Sequence, residues 1–159
     1  MNMRGIVVSL HIASTGAGII QNRNQVQAVM GRGLDGDRYF LGLGTYSRNP
    51  GNGRHVTLVE IEAIEALKRE YGIDIAPGQA RRNIVTRDVA LNHLVDREFF
   101  IGQARLRGMR LCEPCAHLER LTLPGALRGL IHRGGLRGEI LTGGTICVGD
   151  EIVSNGASQ

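Results

Sequence analysis

Only one stretch of this chain carries a sustained helical period. In TLVEIEAIEALKREYG, Ile61, Ile64, Leu67 and Tyr71 fall on one face, which is the pattern of a helix laid against a core. Thr57 and Glu60 have capping-box spacing, Glu65 and Arg69 form an i, i+4 pair, and Gly72 stands where a left-handed residue would end the helix. Every other regular stretch is short, rich in β-branched residues and cut by glycine. Strand candidates are residues 4–12, Gln25 to Met30, Arg54 to Val59, Asn83 to Thr86, Glu98 to Ile101, Ala104 to Leu111, Gly138 to Leu141 and Thr145 to Val153. Beyond the helix they recur every 10–15 residues or so, a rhythm that predicts a mainly β chain, barrel or sandwich. Within Ala104 to Leu111 the apolar positions slip by one at Gly108, which predicts a bulge that bends the strand. FFIGQARL and ICVGDEIV share one plan and read as two tight corners of a sheet. Residues 31–53 are too rich in glycine for regular structure and read as a long loop. From Leu118 to Leu130, a short helix on each side of Pro124 is expected.

With 159 residues the chain is expected to form a single domain, 1–159, around one core. Hydrophobic residues at 42% against 21% charged exclude disorder as the overall state. No apolar run is long enough to span a bilayer and the first residues lack a signal-peptide core, so a soluble, cytoplasmic protein without membrane contact is expected. Three cysteines give no disulfide framework. The 19 basic residues include one lysine, so positive charge is carried by planar guanidinium forks suited to phosphate and carboxylate. Residues 81–137 carry eleven Arg against five acids. With aromatics at 4% there is little to stack bases on, so no nucleic acid but a small phosphorylated ligand is the expected partner.

Gly31, Gly33 and Gly36 spell G-x-G-x-x-G, but no helix pattern follows, so a dinucleotide fold is not expected. Cys112-Glu-Pro-Cys115 is the sharpest local feature. Such spacing serves zinc binding, dithiol exchange, a thiolate that ligates metal or carries sulfur, or merely two buried thiols. Zinc would have to recruit two of His117, His132 and Cys147. Arg105, Arg107 and Arg110 precede the motif, and positive charge beside a thiol favours the reactive thiolate. His55, His93, His117 and His132 are the acid–base candidates. Asp37 either holds Arg38 or occupies a turn, and Cys147 reads as core.

The order GLDGDRY (33–39), RRNIVT (81–86), FFIGQARLRGMRLCEPC (99–115), HRGGLRGEIL (132–141) and GGTICVGDEI (143–152) resembles the MOSC domain, the molybdenum-cofactor sulfurase C-terminal domain. The likeness runs from about residue 5 to 153 and implies a β-barrel-like fold with a few short helices. It also implies a site for the molybdenum cofactor (molybdopterin). Cys115 would be the molybdenum ligand and catalytic thiol, or else Cys112, with Arg38, Arg81, Asn83 and Arg133 facing the pterin phosphate and ring edges. The activity implied is reduction of N-hydroxylated substrates with an electron-donor protein as partner. The alternative is a sulfur carrier that takes persulfide sulfur from a cysteine desulfurase, pyridoxal phosphate (PLP) entering only through that partner. A third alternative is a non-catalytic, zinc-stapled or partner-binding β module. Amidoxime-reducing relatives carry a further N-terminal β-domain that encloses the cofactor, for which this chain has no room.

Overall fold

The structure is a computed structural model and describes residues 3–15, 18–42, 55–113 and 125–154. Strands run β1 (Met3–Ile12), β2 (Gln21–Arg23), β3 (Gln25–Val29), β4 (Gly33–Leu34), β5 (Val56–Glu60), β6 (Ile84–Arg87), β7 (Glu98–Ile101), β8 (Ala104–Leu111), β9 (Leu136–Thr142), β10 (Gly144–Cys147) and β11 (Glu151–Ser154). Helix α1 (Ile61–Tyr71) joins β5 to β6, and a short α2 (Ala126–Gly129) precedes β9. Single 3-10 turns lie at Pro77–Ala80 and Leu91–Leu94.

One sheet has the order β11-β7-β8-β9-β5-β6-β1-β2, and β11 also pairs with β1, so seven of its strands close into a barrel with β2 outside the ring. Closure leaves those seven without an open edge. Its pairings are antiparallel except β5 with β6, the two strands bridged by α1. A second sheet, β10-β3-β4, contributes Val26, Ala28, Leu34 and Ile146 to the core that fills the barrel. The mainly β expectation is therefore met.

β5 and β6 are buried on both faces, as a covered parallel pair should be. Leu58 and Ile84 point into the barrel, while Val59 and Val85 point out under Ile61, Ile64 and Leu67 of α1. Leu67 is fully buried, and trimming such a leucine to alanine costs about 2–5 kcal/mol. Gly72 ends the helix at φ 68° with its N–H on the Lys68 carbonyl, as its placement predicted. Tyr71 is half exposed.

The start of the helix differs from expectation. Thr57 lies in β5, and the N-cap is Glu60, which makes no side-chain cap bond. The Thr57 hydroxyl bonds Asn83 instead, and the Glu60 carboxylate accepts the Leu91 N–H. Nor do Glu65 and Arg69 pair with each other. Glu65 meets Arg87 of β6 at 3.7 Å and Arg69 meets Glu70 at 3.3 Å.

The bulge in β8 falls where the pattern slips, between Gly108 and Arg110. A Cβ at Gly108 would stand 2.1 Å from the Leu94 carbonyl oxygen, so the backbone there has no room for a side chain. FFIGQARL makes a corner within the barrel, but ICVGDEIV leads from the small sheet into the barrel. The glycine-rich loop holds a strand, β4, and turns to residue 42; 43–54 lie outside the described residues. Of the two short helices expected around Pro124, α2 is the second; residues 114–124 lie outside the description.

Candidate functional site

Three consecutive residues after the first 3-10 turn tie distant parts of the chain together. Arg81 adopts the left-handed conformation, φ 58°, uncommon for a residue with a side chain. Its Nη2 donates to the Gly18 carbonyl at 3.1 Å, and its own carbonyl accepts from Arg38 Nη2 at 3.2 Å. Arg82 donates through Nε to the Gly134 carbonyl at 2.7 Å and through Nη2 to the Cys112 carbonyl at 3.0 Å. The Cys112 N–H in turn donates to the Gly135 carbonyl at 2.7 Å.

Asn83 is fully buried and acts as a strut. Its Oδ1 accepts from the Thr57 N–H at 3.0 Å and from the Thr57 hydroxyl at 3.2 Å, while its Nδ2 donates to the His11 carbonyl at 3.1 Å. Through these bonds RRN meets GDRY at Arg38, the approach to C-x-x-C at Cys112, and the HRGG loop at Gly134. Segments 30, 43 and 52 residues away from this stretch thus converge on one corner.

Behind that corner Asp37 and Arg38 form a buried pair at 3.1 Å. The Asp37 carboxylate also accepts the N–H groups of Ala13 and Tyr39, so its function is to hold Arg38. Burial holds Arg81 below the ordinary arginine value; the neighbouring Arg38 charge pushes the same way and Tyr39 opposes. Asp37 balances the Arg38 charge, so Arg81 adds the net positive charge at this corner, and arginine keeps its charge at any physiological pH.

Arg81 also lines a cleft of about 600 Å³ between β1, the segment 20–24 and the turn Ala76–Gln79. Val148, from the GGTICVGDEI segment, lines it as well. His11 is nearly buried in its wall. Burial lowers the His11 pKa from 6.5, against the opposing effect of its bond to Asn22. His11 did not emerge from the sequence. The sign was there as S-x-H, since two residues at i, i+2 in a strand share a face.

The remaining candidates lie elsewhere or outside the description. Arg133 pairs with Glu70 at the end of α1, at 3.2 and 3.3 Å, and is not joined to Arg38 or Arg81 by any of these bonds. That partner holds the Glu70 carboxyl below its ordinary range. Cys112 is buried at 1% exposure, and Cys115 and His117 lie outside the described residues. Arg105 bonds Glu98 and Arg107 faces Asp96, so both point outward on β8 toward acids. Arg110 is exposed on the same strand.

His132 bonds Glu113 at 3.0 Å, and His55 receives the Ile140 N–H at 3.4 Å. Burial lowers His55, with Glu139 opposing. Cys147 is half-buried beside Gln25 rather than in the core. Among the described residues no three His, Cys, Asp or Glu side chains gather as a metal set, and no helix is long and apolar enough to cross a membrane.

A MOSC-domain profile matches residues 45–153. The chain belongs to the MOSC family. The match begins after GLDGDRY, so Arg38 and the Asp37 clamp lie outside it, whereas likeness in structure takes in the whole MOSC chain. The YuaD protein of Bacillus subtilis superposes with a TM-score of 0.82 at 18% identity, over 99% of both chains. YiiM of Geobacillus stearothermophilus gives 0.72 at 14% identity, over 95% of this chain and 75% of that one. YiiM of Escherichia coli gives 0.68 at 16% identity, over 99% and 72% respectively. At these identities the structures speak for the fold alone. No curated protein sequence matches the chain.

Proposed function

We propose that this MOSC chain holds the molybdenum cofactor at the corner built by Arg81–Asn83 and supports reduction of N-hydroxylated or related substrates through an electron-donor protein. The observation that carries this reading is the convergence just described, in which Arg82 fastens the backbone of Cys112 and of the HRGG loop while the carbonyl of Arg81, its neighbour, accepts from Arg38. The donor set fits the group chemically. Guanidiniums bond two phosphate oxygens at once, and soft thiolate suits a metal already bound by sulfur. When bound, the cofactor supplies two-electron redox chemistry.

The chain's own residues bind and orient. Arg81 and Arg38 receive the phosphate, Arg82 sets the path of the chain into Cys112-Glu-Pro-Cys115, and Cys115 is the ligating thiolate. Cys112, packed away from water, anchors the motif. Asn83 acts through the frame, fixing β6 to β5 and β1, and Arg133 steadies the HRGG loop through Glu70.

The test is to purify the chain from a molybdopterin-competent host and measure molybdenum, pterin and zinc together. Molybdenum and pterin in equal amount, lost together in Arg81→Glu, support the reading. Zinc at one per chain with neither of the others refutes it in favour of a zinc-stapled module. A persulfide formed at Cys115 on incubation with a PLP-dependent desulfurase and cysteine, with no pterin retained, replaces it with the sulfur-carrier reading.

A further inference from the structure

The cleft beside Arg81 contains an arrangement that the cofactor reading does not use. β1 pairs with β6 through a bulge between Val7 and Ser9. Val7, Leu10 and Ile12 point into the barrel, so the extra residue turns Ser9 and His11 out into the cleft. Ser9 Oγ lies 2.7 Å from His11 Nε2, and His11 Nδ1 lies 2.8 Å from Asn22 Oδ1 on β2, directly across in register. Asn22 Oδ1 can only accept, so it holds the proton on Nδ1 and leaves Nε2 as the acceptor for the serine hydroxyl. Gly78 closes over the ring, since a Cβ there would lie 3.0 Å from Nδ1 and 3.2 Å from Ile20.

A hydroxyl, a base within hydrogen-bond reach and a third group orienting that base are the parts of an activated nucleophile. All three line one cleft, together with Arg23 and Arg81 and, among the described residues, without any acidic side chain. Its other walls include Val8, Ile20 and Pro77, which suit a short acyl chain.

We propose that this cleft is a second reactive site, in which Ser9 with His11 as general base hydrolyses small carboxylic or thiol esters whose acyl group bears an anionic substituent. The Ser9 oxygen bonds to the carbonyl carbon as its proton passes to His11 Nε2. The carbon–oxygen or carbon–sulfur bond to the leaving group breaks, and that group takes the proton from His11. Water, deprotonated by the same nitrogen, then releases the acid and restores Ser9. The Arg23 guanidinium supplies positive wall to the acyl substituent, and the neutral amide of Asn24 beside it offers a hydrogen-bond donor. No metal or cofactor takes part, so the site stands or falls apart from molybdenum binding.

The test exposes the full chain to a fluorophosphonate and maps the adduct by mass spectrometry, alongside hydrolysis of p-nitrophenyl butyrate and p-nitrophenyl hemisuccinate. The adduct is expected on Ser9 and absent in Ser9→Ala. His11→Gln should slow labelling about 100-fold, the lower range for loss of a general base, and the hemisuccinate should react about 10-fold faster than the butyrate. Ser9→Cys, which keeps the size of the side chain, should be alkylated by iodoacetamide faster with His11 than with His11→Gln. An adduct elsewhere, no adduct, or equal labelling rates with and without His11 would overturn the proposal.

Discussion

Replacing Asn83 by alanine tests whether its amide holds the frame of the site. The change removes the acceptor of the Thr57 N–H and hydroxyl and the donor to the His11 carbonyl, all in a place with no water access. A buried polar group left without its partner costs about 1–3 kcal/mol, so two orphaned backbone groups and one hydroxyl that must turn elsewhere amount to about 3–5 kcal/mol. Against a total stability of about 5–15 kcal/mol, that is a large fraction. In urea, with m near 2 kcal/mol/M, the midpoint should fall by about 1.5–2.5 M with m unchanged. Thr57→Val removes part of the same network. The double variant should therefore lose at least about 1 kcal/mol less than the two single losses combined. The reasoning fails if Asn83→Ala shifts the midpoint by less than about 0.5 M, which at that m is only about 1 kcal/mol.

Three further outcomes follow from the packing and charge. Arg82→Ala removes two bonds that fasten Cys112 and Gly134; at a loss of about 2 kcal/mol, local opening and alkylation of Cys112 should rise about 30-fold, with an unchanged rate contradicting the clamp. His11 and His55 bind fewer protons folded than unfolded, so their stability contribution is whole above pH 6.5 and falls as pH drops below it. Glu60, raised by burial from 4.5, opposes this at the acid end, so the melting temperature should decline from pH 7.5 to 6, and a flat or rising curve counts against the two burials. Gly108→Ala forces a Cβ onto the Leu94 carbonyl and should cost more than about 3 kcal/mol in thermal unfolding, whereas a near-neutral variant would show the approach to be looser than 2.1 Å.

Much of the barrel was legible because local and global signals agreed. After a tight glycine corner Ala104 and Leu106 alternate with Arg105 and Arg107, and the break at Gly108 marked the bulge. What failed was whatever depends on partners far along the chain. Thr57 had capping spacing, yet its hydroxyl serves Asn83, 26 residues away. Glu65 was offered Arg69 on its own helix and took Arg87 from the neighbouring strand. Arg105 and Arg107 sat beside the cysteine motif in sequence, but strand pairing set Glu98 and Asp96 against them. Of the site, the family motifs identified the segments, while only the folded chain showed that RRN ties them together and that the bulge in β1 turns Ser9 and His11 outward. Asn83 was read as a ligand because a family motif names residues without saying which of them face inward.

The most direct test of the central reading is the sulfur coordination of molybdenum in the purified protein, measured by X-ray absorption at the metal edge with Cys115 intact and as Cys115→Ser. Loss of one sulfur ligand in the variant, with pterin still bound by the Arg38–Arg81 corner, is the predicted result. Identical spectra from the two proteins would contradict the account.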